Sequence, residues 1–261
     1  MTFSSTAFFP FSTSKNQPPT MLAILRKEFN SFLNSPVAYV VLGVFLVATG
    51  LFVWVFPDSS VLDYGFADLQ TLFNIAPWIF LFLIPALTMR TFAEEKKAGT
   101  MELLLTRPLT DTQLIGGKYL ACLLLALLAL LPTLLYYYSV YQLGDPQGNI
   151  DSAATVGSYL GLALLAAVFA AIGVFASALT RDQIVAFLAA VVGCFLVYSG
   201  FDSLASVFDG APAYYIGQLG IAAHYRDLSK GLIDSRDLLY FFTLSAIMLL
   251  ATRVALQSRN W

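Results

Sequence analysis

Charge is scarce in this sequence. Only 11% of its 261 residues are charged, against about 25% in soluble globular domains. There is one histidine, His224, and there are two cysteines, Cys122 and Cys194. Neither cysteine belongs to a CxxC pair, and both sit in apolar runs where a thiol packs as a small hydrophobe. That set does not assemble a zinc site. No HExxH or GxSxG occurs. No GxxxxGK[ST] loop occurs either: the only Gly-Lys pair, Gly117-Lys118, is followed by Tyr119 and runs into apolar sequence. The chain therefore has no recognisable means of binding ATP phosphates and no catalytic constellation. Net charge is −2, so no overall basic field points to nucleic acid. Acidic residues are missing from the middle of the apolar runs, where a proton-coupled carrier or an intramembrane protease would keep them.

What remains is grease: 58% hydrophobic residues and a mean hydropathy of +0.75. A helix crossing about 30 Å of hydrocarbon needs about 20 mostly apolar residues. Six segments qualify, at about 37–56, 69–89, 119–141, 157–179, 183–201 and 238–256. Uninterrupted runs of this length are too long for buried strands and lack the alternation of a barrel. The expected fold is an all-α membrane protein with six transmembrane helices.

Lysine and arginine orient the spans. With the N-terminus inside, the inner face holds Lys15, Arg26, Lys27, Arg90, Lys96, Lys97, Arg107, Lys118, Arg181, Arg253 and Arg259. The outer face holds only Arg226, Lys230 and Arg236. Both termini are expected in the cytoplasm, with the chain in the cell inner membrane. Trp54 and Phe56 close the first span and Tyr136, Tyr137, Tyr138 and Tyr141 the third, as an aromatic belt at the outer face.

Residues 1–20, rich in Ser, Thr and Pro, have neither the basic start nor the apolar run of a secretory signal, and read as a disordered cytoplasmic tail. Met1 and Met21 both stand as candidate starts. From Met21, Leu22, Leu25, Phe29 and Phe32 recur at helical spacing beside Arg26, Lys27, Glu28 and Asn30, the pattern of an amphipathic interfacial helix. Pro36 separates it from the first span. The fourth span carries Gly157, Gly161, Ala166, Ala170, Gly173 and Ser177, small residues suited to tight packing within one subunit or to a dimer seam. Pro77, Pro85 and Pro132 fall inside spans and kink helices there.

Two segments between spans stand out. The outer one, Asp202 to Asp237, is too long for a turn. Its AYYIGQLGIAAHY stretch is apolar enough to dip into the outer leaflet or to pack on the bundle, with His224 at a surface or interface. The inner one, EEKKAGTMELLLTRPLT from Glu94 to Thr110, is the densest run of charge. Glu94 and Glu95 extend the second span as helix, and Gly99 is placed to end it. Thr100 caps a short new helix with Glu102 in its first turn and Met101, Leu104 and Leu105 on one face. Pro108 closes that helix, and TDTQ, Thr110 to Gln113, forms a capping box for the next. A lone two-turn helix is unstable in water. It docks on the chain's own inner surface or on a soluble partner.

The run EEKKAGTMELLLTRPLTDTQLIGGKYL resembles the loop of ABC-2-type transporter permeases, which reads E-E-x-x-x-G-T-x-E-x-L-L-x-x-P ahead of the third span. Glu94, Glu95, Gly99, Thr100, Glu102, Leu104, Leu105 and Pro108 stand at the matching places. The helix before span one, the six-span order and HYRDLSKGLIDSRDLLYF before span six extend the likeness over most of residues 21–261, which would form the ABC-2-type transmembrane domain. Within the family the chain is most similar to gliding-motility-associated permease subunits.

The resemblance implies a permease working with a second permease subunit, a second copy or a different chain, and with separate ABC ATPase subunits that carry ATP and Mg. It implies a coupling helix between spans two and three and re-entrant outer helices between spans five and six. Glu94, Glu95, Gly99, Thr100, Met101, Glu102, Leu104, Leu105 and Pro108 would then couple to the ATPase. This chain would be no enzyme, hold no cofactor or metal, touch membrane lipid and bind no nucleic acid. A rival expectation is a membrane anchor that passes ATP-driven motion to a periplasmic or motility assembly and transports nothing.

Overall fold

The computed structural model describes residues 21–57, 59–63, 67–100 and 110–258, so the N-terminal tail expected over residues 1–20 lies outside it. The described residues are helical, with no strand among them. Twelve helices follow in order. They are α1 (Met21–Leu33), α2 (Pro36–Trp54), α3 (Gln70–Thr88), α4 (Arg90–Lys97), α5 (Asp111–Leu130), α6 (Leu134–Leu143), α7 (Ser152–Leu179), α8 (Gln183–Phe195), α9 (Phe201–Ala205), α10 (Ala211–Gly217), α11 (Ile221–Ser229) and α12 (Ser235–Gln257). Among the described residues, six stretches are long and apolar enough to cross a membrane: Pro36–Trp54, Gln70–Lys97, Asp111–Leu143, Ser152–Leu179, Gln183–Ala205 and Ser235–Gln257.

Helix ends follow local sequence rules. Ser35, before Pro36, is extended (φ −94°, ψ 130°), so α1 and α2 are separate. Thr110 and Gln113 make the expected reciprocal capping box at the start of α5. Aspartates cap the next three long helices: Asp151 accepts from the Ala154 amide, Asp182 from Ile184 and Asp234 from Arg236. The Arg236 amide holds the Asp234 carboxyl below its ordinary range.

Several expected span limits shift for the same reason. The third span begins at Asp111 rather than near 119, and the fourth at Ser152 rather than near 157, because capped polar first turns belong to the helix. Span two passes through Met89 directly into α4. Pro132 lies in a tight 3₁₀ turn, Leu131–Thr133, between α5 and α6. A wide five-residue turn, Leu196–Gly200, joins α8 to α9.

Helix α7 is the axis of the bundle. Eighteen of its 28 residues are buried, so neighbours enclose it on every side. Its small residues set those contacts. A Cβ on Gly173 would lie 1.9 Å from Thr88 Oγ1 of α3. A Cβ on Gly157 would lie 2.4 Å from the Leu228 carbonyl of α11, and one on Gly161 would lie 3.1 Å from the Tyr225 ring. Of the two readings of the glycine pair, packing within one subunit is the one these contacts satisfy. The outer helices α2, α8 and α12 bury few residues. Their free faces expose Val40, Val44 and Val47, then Ile184, Leu188 and Val192, then Leu239, Phe242 and Leu250. Such broad apolar faces suit a bundle solvated by lipid chains.

Prolines free backbone carbonyls, and polar side chains take them up. Pro77 has no amide for the Phe73 carbonyl one turn earlier. The buried Tyr225 hydroxyl of α11 donates to that carbonyl at 2.7 Å. Separately, at the turn after Pro132, the Tyr159 hydroxyl of α7 donates to the Thr133 carbonyl at 2.9 Å, a carbonyl that Pro132 does not itself free.

The segment expected to re-enter the membrane forms α9, α10 and α11. Helix α11 packs on α7 through Ile221, Tyr225 and Leu228, whereas α10 buries none of its residues. His224 is not a free surface residue. Its ring stacks on Tyr240 at 4.1 Å, and its nitrogens lie 2.6 Å from Asp237 Oδ1 and 2.9 Å from the Gln218 carbonyl.

Candidate functional site

The charged stretch joins α4 to α5, and both of its roots are built into the bundle. Helix α4 starts immediately after α3, so its first amides lack partners from a preceding turn of their own helix. Ser177 of α7 supplies one. Its hydroxyl oxygen accepts from the Phe92 and Ala93 amides, each at 3.0 Å, and donates to the Met89 carbonyl at 2.9 Å. Lys96 donates to the Ala178 carbonyl of the same helix. Arg90 reaches Ser35 between α1 and α2, at 3.3 Å.

Helix α4 ends as Gly99 dictates. The glycine has φ +69°, a left-handed conformation that a Cβ disfavours. The Thr100 amide donates to the Glu95 carbonyl at 3.0 Å and the Gly99 amide to Lys96 at 3.4 Å, a Schellman closure. The other root is the Thr110 capping box of α5. Met101, Glu102, Leu104, Leu105 and Pro108, expected to form the helix between these ends, lie outside the described residues.

The two adjacent glutamates have different surroundings. Glu94 is half exposed and pairs with Arg90 on its own helix, 2.8 Å to Nε and 3.3 Å to the second amino group. Glu95 turns inward. Its side chain is 15% exposed, and its Oε1 lies 2.7 Å from Lys118 Nζ on α5. Lys118, at 1% side-chain exposure, also donates to the Thr91 carbonyl at 2.7 Å and to Glu28 Oε1 of α1 at 3.2 Å. The three protons of its ammonium thus meet three acceptors. The Phe92 ring lies 5.2 Å away, within cation–π range.

Lys118 was missed by sequence reasoning, which placed it just outside span three as a face-marking cation. Helix α5 begins earlier, so Lys118 lies about 10 Å along it at 1.5 Å per residue. The signal was the preceding glycine pair. A Cβ on Gly117 would lie 2.8 Å from Ile24 Cγ2 and 3.1 Å from the Met21 carbonyl. Gly117, first noted only for failing the phosphate-loop pattern, and the neighbouring Gly116 are where α1 crosses α5, and that crossing brings Glu28 to Lys118.

No group of three or more His, Cys, Asp or Glu side chains is placed to hold a metal among the described residues. A cavity of about 450 Å³ is lined by Val61, Ala67, Val140, Leu143, Asp145 and Asn149. It is far in sequence from the charged stretch.

Among curated proteins, none matches the chain significantly. The family described as ABC-2 family transporter protein matches residues 61–254, well over half of the sequence, including α3, α4, the charged stretch, α5 and most of α12. With six apolar helices suited to cross a bilayer, the chain belongs to the ABC-2 transporter family, as a multi-pass permease subunit of the kind that works with an ABC ATPase subunit.

Proposed function

We propose that residues 98–110 are the coupling segment on which a separate ATPase subunit acts, turning ATP hydrolysis into movement of the α2–α12 bundle. The carrying observation is the pair of closed helix ends. Gly99 finishes α4 and Thr110 starts α5, and both helices are tied to the bundle, so a load on the short segment between them reaches the spans directly. Glu94, Glu95, Gly99, Thr100, Met101, Glu102, Leu104, Leu105 and Pro108 are the coupling residues in this reading. Met101, Leu104 and Leu105 are the segment's apolar residues, and ATP and Mg belong to the ATPase. The lysine and arginine asymmetry supports an inner-membrane orientation with both termini cytoplasmic. Helix α1 then lies in the inner interface, and α10 and α11 dip into the outer leaflet as re-entrant helices. A second permease subunit completes the transport path.

Similarity of loop motif and span order supports assignment to the gliding-motility-associated branch. One observation favours a second reading, an anchor that transmits force to an outer assembly. Helices α9 and α10 and their junctions expose Val207, Phe208, Tyr214 and Tyr215. Purification from native membranes with identification of bound subunits tests the proposal. An ABC ATPase is expected, and Glu102→Lys is expected to weaken its co-purification while leaving membrane abundance unchanged. An intact assembly without a nucleotide hydrolase would refute the reading. A reconstituted assembly that hydrolyses ATP but moves no solute would favour the anchor.

A further inference from the structure

We propose that Lys118 is a positioning residue for coupling: by holding Glu28, Thr91 and Glu95 together, it makes α1, α4 and α5 one block, so that load on residues 98–110 moves α1 with the spans. The inference rests on the reading that an ATPase acts on that segment.

Four observations carry it. First, the acceptors come from two different helices. Glu28 belongs to α1, while the Thr91 carbonyl and Glu95 belong to α4, and the donor is on α5. One side chain therefore joins both roots of the coupling segment to the N-terminal helix. Second, Lys118 is enclosed, and a lysine is almost never fully buried unless paired. Apolar residues of similar volume commonly replace buried ion pairs without loss of stability. The distinctive effect of this lysine is registration, since its three bonds fix three helices in one arrangement.

Third, Glu95 depends on it. The Oε2 atom of Glu95 is buried and makes no hydrogen bond among the described residues, so Lys118 is the polar anchor of that carboxylate. Fourth, the backbones meet here. Met21 and Ile24 of α1 rest against Gly117, where an added Cβ would lie 2.9 Å from Ile24 Cβ and 3.1 Å from the Met21 carbonyl, and the Met21 side chain covers Gly116. Packing brings α1 and α5 together, and the ammonium adds α4. Glu95 thus acts through Lys118, whereas Glu94 stays on the exposed side of α4.

The test uses spin-label distances in lipid nanodiscs, on the permease alone and on its complex with the co-purified ATPase. Labels go on cysteines introduced at Leu22 of α1, Lys97 of α4 and Ile184 of α8, all exposed positions. The buried Cys122 and Cys194 are changed to alanine in every variant. In the otherwise unmodified chain, the Leu22–Lys97 distribution is expected to be narrow and unaltered by trapping with ATP and vanadate, while Leu22–Ile184 changes. Lys118→Met leaves two carboxylates without their ammonium and risks misfolding. The neutral triple variant Glu28→Gln, Glu95→Gln, Lys118→Met removes the clasp without stranding charge.

That triple variant is expected to broaden the Leu22–Lys97 distribution on the permease alone and, in complexes that retain ATPase, to lose the nucleotide-driven change at Leu22. Lys118→Arg is expected to retain part of that response. An unbroadened distribution, or a full nucleotide response in a triple variant that binds ATPase, overturns the inference. If no ATPase associates even with the unmodified chain, the coupling proposal itself fails. The width measured on the permease alone then decides whether the clasp exists.

Discussion

The sharpest quantitative expectation concerns Gly157, where α11 lies on α7. A Cβ there would meet the Leu228 carbonyl oxygen at 2.4 Å and the Gly231 Cα at 3.0 Å. Both obstacles are backbone, so no side-chain rotation relieves the clash. Helix α11 must retreat by about 1 Å to restore ordinary contact distances. That movement strains the Tyr225–Phe73 bond of 2.7 Å and the Ser158–Ser229 bond of 3.2 Å, which hold the same helix. Overpacking of this kind costs about 1–3 kcal/mol. If the cost falls on the docked state of α11, its detachment becomes about 5- to 150-fold more frequent.

Two further glycines calibrate the effect. At Gly161 the Cβ would lie 3.1 Å from the Tyr225 ring, which must yield by a few tenths of an ångström, so a smaller loss is expected. At Gly43 nothing lies within 4 Å. Alanine there is expected to be neutral or to stabilise α2 by up to about 1 kcal/mol through helix propensity. Hydrogen exchange of the nanodisc-embedded protein, followed over residues 221–229, orders the three variants. The reasoning predicts fastest exchange in Gly157→Ala, then Gly161→Ala, then Gly43→Ala. Exchange in Gly157→Ala no faster than in Gly43→Ala would refute it.

Other perturbations follow from single bonds. Tyr225→Phe leaves the Phe73 carbonyl freed by Pro77 without its donor and should lower the detergent melting point, by a loss of about 1–3 kcal/mol. Ser177→Ala removes the acceptor that caps α4. A loss of about 0.5–2 kcal/mol is expected in the same melt, with exchange rising at the Phe92 and Ala93 amides. Thr110→Ala breaks the capping box of α5 and costs about 1 kcal/mol. Thr110→Ser keeps the hydroxyl and should melt within error of the unmodified protein.

How legible the molecule was in its sequence varied from residue to residue. Gly99, Ser35–Pro36 and the TDTQ box were readable because each acts within a few residues, through a conformation that only some side chains permit. The small residues of α7 were readable as close-contact positions, but their partners were not. Gly157 and Gly161 receive α11, and Gly173 receives Thr88 of α3, helices separated from them by scores of residues. The adjacent Glu94 and Glu95 carry the same chemistry in the sequence and share one motif. A rotation of about 100° per residue sends one to Arg90 and water and the other to a buried ammonium. Lys118 was misread because hydropathy counts a charge against a span, whereas here the neighbouring helices supply acceptors for all three of its protons.

Sequence alone determined that this chain is a helical membrane protein, roughly where its spans fall, and that α5 starts at the Thr110 capping box. Those properties depend on hydrophobic length and on bonds between near neighbours. Tertiary structure alone decided that α7 is the axis, that α11 closes over its glycines, and that a buried lysine joins α1 to both roots of the charged stretch. Each of these depends on helices distant in the chain meeting face to face, and such pairings are not encoded in the periodicity of any one segment.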